Sequence, residues 1–215
     1  SSPHLRSQSS VRQKLGILLP YTEPLSLEFM EQVQTPLLRD SIIVDDAISY
    51  ATRYATSPNR PTYYFFDDGD CTNFVSQILE NAGVLQEVYT STLSGWWHKR
   101  TTILPGILYN HTHSQSWTLA DVFCRYMGIC FQNTSALGFS SNIHAGSIVG
   151  ADFAGDGEWD HTGFITATQN TVGEFGYFDF KVAQHTSNYN AWASSDTNNW
   201  DNIGNDGGWY CRVRE

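Results

Sequence analysis

Asp70-Cys71-Thr72-Asn73-Phe74-Val75-Ser76-Gln77 reads as the opening of an amphipathic helix with a cysteine in its first turn. Asp70 stands at the N-cap position. Phe74, Val75, Ile78, Leu79 and Ala82 recur on one face, and Gly83 closes the helix just past its C-terminus. The first backbone N–H groups of a helix lack partners within it, and the positive end of its dipole lies there, so a thiolate at Cys71 is stabilised. A cysteine buried only for packing has no need of that address. The stretch points to a cysteine hydrolase, for which the rest of the chain must supply a base, an orienting group and a cleft.

Outward from this helix the periodicity gives the fold class. Residues 25–38 carry helical spacing, broken late by Pro36, inside an N-terminal extension over 1–40 that reads as a pro-segment, a linker or part of the fold. Ser41 or Asp45 caps a further helix with Val44, Ala47, Ile48, Ala51 and Ala55 on one face, ending near Ser57-Pro58. Residues 119–126 have helical spacing, whereas 91–116, rich in Trp, His and Thr, read as loop. From Gly146 the pattern changes to strands over 147–149, 161–169, 177–185 and 209–213. Helices followed by an antiparallel sheet make residues 41–215 an α+β domain.

A thiol needs a base, and imidazole is the usual one. Among seven histidines, His161 has the best setting, at the start of a strand, where a base is held rigidly. A hairpin turn centred on Gly173 makes His161 and His185 cross-strand partners, so His185 would orient the His161 ring. A slip of one residue would put them on opposite faces, which leaves Asn188 and Asp160 as other orienters. The Cys71 N–H is an oxyanion donor. Tyr63 or Tyr64 could add a hydroxyl, though their aromatic run also fits a core. Trp96-Trp97-His98 and Ser116-Trp117 fit either a substrate groove, through Trp97 and Trp117, or the interior.

Composition removes several function classes. With 12 basic against 22 acidic residues the net charge is −10, and no basic stripe suits a nucleic acid. No apolar run is long enough to span a membrane. The first ten residues lack the apolar core of a secretion signal and read as the start of a mature or excised fragment. The four cysteines contain no Cys-x-x-Cys pair, so a structural zinc site is not expected, and the cysteine chemistry calls for no cofactor. With Cys71 as nucleophile, one disulfide can form among the other three, either Cys124–Cys130 or one of these to Cys211; three buried thiols fit equally well. The acidic loop at 152–160 has oxygen ligands and glycines but not the spacing of a calcium loop, and reads as a solvated turn.

Several of these pieces together resemble a bacterial, mainly Gram-positive family described as a "putative amidase domain". They are Ala47-Ile48-Ser49-Tyr50-Ala51, Tyr63-Tyr64-Phe65-Phe66-Asp67, the Asp70–Gln77 stretch, Ser116-Trp117, Gly155-Asp156-Gly157-x-x-Asp160-His161-x-Gly163 and Gln184-His185-Thr186, covering about residues 45–190. That family is similar to the CHAP and NlpC-type cell-wall hydrolases. The resemblance implies a papain-like fold, with Cys71 as nucleophile, His161 as base and His185 as third member; Asp70, at the N-cap before Cys71, is a supporting residue. It implies an amidase or endopeptidase acting on peptidoglycan or related peptide amides, without a metal, in a secreted or wall-associated bacterial protein. Two other functions fit the same residues: a non-catalytic wall-binding module, and an acyl transferase using the same Cys–His pair.

Overall fold

The computed structural model describes residues 42–60 and 62–214. The extension over 1–40, with its expected helix at 25–38, lies outside the described residues. Helix α1, Val44–Tyr54, buries Ala47, Tyr50 and Ala51, and α2, Cys71–Asn81, buries every residue from Cys71 to Leu79. Gly83 follows α2 with a φ of 93°, as the C-terminal glycine signal requires. Two short helices come next, α3, Gln115–Thr118, and α4, Ala120–Met127.

Strands β1, His98–Leu104, and β2, Leu108–His113, form a separate two-stranded hairpin. The remaining strands are β3, Ile129–Asn133; β4, Ile148–Asp152; β5, His161–Val172; β6, Phe178–Gln184; β7, Tyr189–Trp192; and β8, Trp209–Val213. They make one antiparallel sheet in the order β3-β8-β4-β5-β6-β7. Helix α5, Ala136–Ser140, lies between β3 and β4, and a 3₁₀ turn, Trp200–Asn202, precedes β8. The class is α+β.

Both faces of the sheet are covered, so side chains alternate between two cores. On one face Ile148 and Phe164 pack with Phe74, Ile78 and Leu79 of α2, with Trp96 and with Trp117. On the other, Val149, Ile165, Phe180 and Val182 pack with Phe139, Trp200 and Tyr210. Helix α2 therefore lies against the face that carries Phe164, with its N-terminus toward the start of β5.

The structure departs from the sequence reading at three places. Residues 98–113, expected as loop, form the β1–β2 hairpin; six of the seven β1 residues are exposed, so no apolar alternation marks it. The edge strands β3 and β7 are only five and four residues long and give little periodic signal. The hairpin register also differs. Phe164 faces Ala183 and Ile165 faces Val182, after register shifts between Ile165 and Ala167 and between Thr168 and Val172. A turn centred on Gly173 would instead set Phe164 against Val182. The difference is one residue, which sends His185 to the face opposite His161.

Candidate active site

The geometry starts from α2. Asp70 occupies the N-cap position, but its side chain caps no helix N–H. Its carboxylate instead accepts from Phe66 N (3.0 Å) and Asn73 Nδ2 (2.7 Å) and meets His185 Nδ1 at 2.5 Å. The open first turn of α2 is thus left free of any side-chain cap, with the Cys71 N–H among its donors.

Cys71 is 7% exposed and His161 8%. Burial disfavours the Cys71 thiolate, but the His161 imidazole, a backbone hydrogen bond from Thr162 and the Thr72 hydroxyl outweigh it, and the thiol is lowered from 9.0 to about 7. The effect is mutual. Burial opposes the His161 imidazolium, while Cys71, then Gln184 and Asp160, raise its pKa above the ordinary 6.5. Thr72 Oγ1 lies 3.2 Å from Thr162 Oγ1, fastening the first turn of α2 to the first residues of β5. Cys71 and His161 are therefore brought together, each in a rigid element, and tuned toward an ion pair.

His185 is not the orienter of His161. Its ring is fully buried on the α2 face, stacked on Phe74 with ring centroids 3.8 Å apart. Both ring nitrogens are engaged elsewhere, Nδ1 with Asp70 and Nε2 with the Tyr54 carbonyl at 2.9 Å. The residue one position earlier, Gln184, is the one beside His161. Its Oε1 accepts from Trp200 Nε1 (2.7 Å) and its Nε2 donates to Thr186 O (3.1 Å). His161 Nε2 is buried and has no hydrogen-bond partner among the described residues, while Gln184 is among the groups that raise the pKa of the ring. The register shift that displaced His185 is what brought Gln184 to the His161 face; a bulge count was the missing signal.

The other sequence candidates separate. Trp117 is fully buried, stacked on Trp96 at 4.7 Å, and its Nε1 donates to Asn73 Oδ1. Trp97 is also buried, its Nε1 donating to Ser94 O. Neither lines a groove, because both indoles are buried and their N–H groups are spent on internal partners, that of Trp117 on α2 itself. Tyr63 is buried and donates its hydroxyl to Glu80 Oε2 at 2.5 Å, which removes it as an oxyanion donor. Tyr64 is exposed, its ring near Phe66 and His111. Asn188 lies between β6 and β7, half-buried, and is not among the groups acting on His161. Asp160 does act on His161 through its charge. An aromatic group that sequence reasoning passed over, Phe153, is 51% exposed with its ring centroid 6.0 Å from that of His161.

The acidic loop closes on itself. Asp152 accepts backbone N–H groups from Gly155 (2.7 Å), Asp156 (3.3 Å) and Gly157 (2.8 Å), and Asp160 accepts from Phe153 N. Among the described residues no group of three or more His, Cys, Asp or Glu is placed to hold a metal ion, and no helix is long and apolar enough to cross a membrane. The hairpin histidines form their own pair, His98 Nε2 to His111 Nδ1 at 2.8 Å, with His98 pushed down to about 4, by burial first and then by His111.

Comparison with known proteins gives the family of the domain. Residues 44–213 match the family described as "Putative amidase domain". The chain belongs to that family. Among curated proteins, the uncharacterized protein YhbB of Bacillus subtilis (strain 168) is 31% identical over 123 residues, 56% of this chain and 36% of that protein. The uncharacterized protein YjcM of the same organism is 28% identical over 135 residues, 58% of this chain and 27% of that protein. The chain thus spans well under half the length of these relatives. No solved structure matches it significantly. The family description supports amide hydrolysis at this domain.

Proposed function

We propose that the chain is a cysteine-dependent amide hydrolase of papain-like build, acting on peptidoglycan or a related peptide amide. The observation that carries the reading is the Cys71 thiol lowered to about 7 beside an imidazole raised above its ordinary value, at a helix start that no side chain caps. The Cys71 thiolate attacks the amide carbonyl, and its own N–H supports the oxyanion. His161 delivers its proton to the departing amine, and the thioester is hydrolysed by water that His161 deprotonates. Gln184, in place of His185, orients the ring. The exposed Phe153 beside His161 is a wall for the substrate, and its neighbour Asp160 keeps the imidazolium charged.

The substrate class rests on the family's description as an amidase and on its likeness to cell-wall hydrolases. It carries with it a secreted or wall-associated location. The test is digestion of purified walls by wild type and by Cys71→Ala, with mass spectrometry of the released muropeptides. A new free amine on the first stem alanine means an amidase, and one at another stem or bridge residue means an endopeptidase. Transfer to an added amine in place of water would favour an acyl transferase. No release by the wild type, or equal release by Cys71→Ala, would overturn the reading.

A further inference from the structure

Gly150 is a glycine inside a strand, where a side chain would ordinarily improve packing. The reason is local. A Cβ built there would meet Cys211 Sγ at 2.7 Å and Cys124 Sγ at 3.0 Å. The two sulfurs therefore fill the same space over one residue, Cys124 reaching it from α4 and Cys211 from β8. Cys211 is the cross-strand partner of Gly150. Both cysteines are fully buried within one apolar cluster, and both are reduced in this structure. Cys130, in contrast, is exposed on β3, against Arg212.

We infer that Cys124 and Cys211 are disulfide partners, with Gly150 as the socket that leaves room for their sulfurs. The bond joins α4 to the last strand and closes a long loop containing β3, β4, β5, β6 and β7. Its formation needs an oxidant, and a small disulfide of the glutathione class suffices. One cysteine thiolate attacks that disulfide and releases one glutathione thiol, leaving a mixed disulfide. The second cysteine attacks the protein-side sulfur and releases the other. Two protein thiols and one external disulfide become one protein disulfide and two external thiols, the two protons going to the leaving thiolates. Burial, with Cys124 beside it, raises the Cys211 thiol well above 9.0, and with both sulfurs fully buried in the closed core an external oxidant reaches neither. The exchange belongs to folding, before the core closes.

The experiment is refolding of the full chain from denaturant, once in a reduced/oxidised glutathione buffer and once fully reduced. Remaining thiols are then alkylated in denaturant and the peptides mapped by mass spectrometry. The expected product has lost two hydrogens and links the Cys124 and Cys211 peptides, with Cys71 and Cys130 alkylated. It should melt at least about 5 °C higher than the reduced chain, because the closed loop is long. Adding the same oxidant to the already folded, reduced chain should leave Cys124 and Cys211 unlinked. Alkylation of all four cysteines after oxidative refolding, a link through Cys130 or Cys71, or a lower melting temperature would overturn the inference. Because the wild-type chain is compared with itself, the result does not depend on whether Cys124→Ala or Cys211→Ala folds.

Discussion

His185 Nδ1 lies 2.5 Å from Asp70 Oδ2, with both side chains buried. The other ring nitrogen faces the Tyr54 carbonyl, which can only accept. Nε2 must therefore carry a proton, and a second proton must lie between Nδ1 and the carboxylate. The pair joins β6 to the residue before the nucleophile and to the end of α1. Removing one partner strands the other in the interior. His185→Ala should cost about 3 kcal/mol or more of folding stability, read as a lowered thermal midpoint, whereas His161→Ala should abolish turnover with far less effect on melting. Similar melting losses for the two variants would contradict this division of roles.

The thiol of Cys71 should show its lowered pKa directly. Alkylation by iodoacetamide should rise through a midpoint near pH 7, where an ordinary cysteine titrates near ~8.5. Deprotonation is favoured by the imidazole and opposed by burial, so His161→Ala leaves burial dominant. In that variant the midpoint should move up from about 7. An unchanged midpoint would mean that the imidazole does not activate the thiol.

Turnover should need both the thiolate and the imidazolium. On the acid side kcat/KM should rise through about 7 as Cys71 ionises. On the alkaline side it should fall above the raised pKa of His161, where the proton for the leaving amine is lost. Gln184 helps to hold that pKa up. Gln184→Ala should lower kcat by roughly 10–100-fold and bring the alkaline limb to lower pH. A fall in kcat with both limbs unmoved would mark Gln184 as a structural support only.

Phe153 and Trp117 should part company. Phe153 is exposed beside His161, so Phe153→Ala should raise KM several-fold and leave melting unchanged. Trp117 is buried and bonded to Asn73, so Trp117→Ala should cost about 3–5 kcal/mol, seen as unfolding in a denaturant titration. A Trp117→Ala protein of native stability but weaker substrate binding would restore Trp117 to the cleft.

Gly150→Ala tests the crowding above β4. A methyl group there collides with both sulfurs, and overpacking of this kind costs about 1–3 kcal/mol. Combining it with Cys211→Ala should recover part of that loss. In a double-mutant cycle by chemical denaturation, strict additivity of the two substitutions would show that the sulfurs do not fill the space.

The amino-acid pattern exposed α1, α2, α4 and the four central strands, because each lies where burial imposes a regular period; Cys71 and His161 stood out by their places at a helix start and a strand start. The role of His185 was not legible. It depended on two register shifts in β5–β6, and one residue of register exchanges the faces of a strand. The signature around Cys71 also misleads in a definite way. Most of its residues serve the interior: Ser76 accepts from Trp96 Nε1, Gln77 accepts from the Tyr50 hydroxyl, Asn73 donates to Tyr64 O and Phe74 stacks on His185. Trp97 and Trp117 were ambiguous for the same reason, since an indole suits a groove and a core alike. The β1–β2 hairpin escaped because an exposed ribbon carries no apolar alternation.

The turn after β6 has a consequence for how the protein comes into being. Within three residues, Gln184 addresses His161, His185 the Asp70 carboxylate, and Thr186, held at a φ of 61°, accepts from the Asp70 N–H through its hydroxyl. Cys71 is synthesised long before any of them. Until the last third of the chain has been made and folded back, Cys71 has no imidazole and its helix start has no anchor, so its thiol is an ordinary one. The lowered pKa of Cys71 is thus a property of the folded domain, and before β5 and the turn after β6 are in place its thiol has no more than ordinary reactivity.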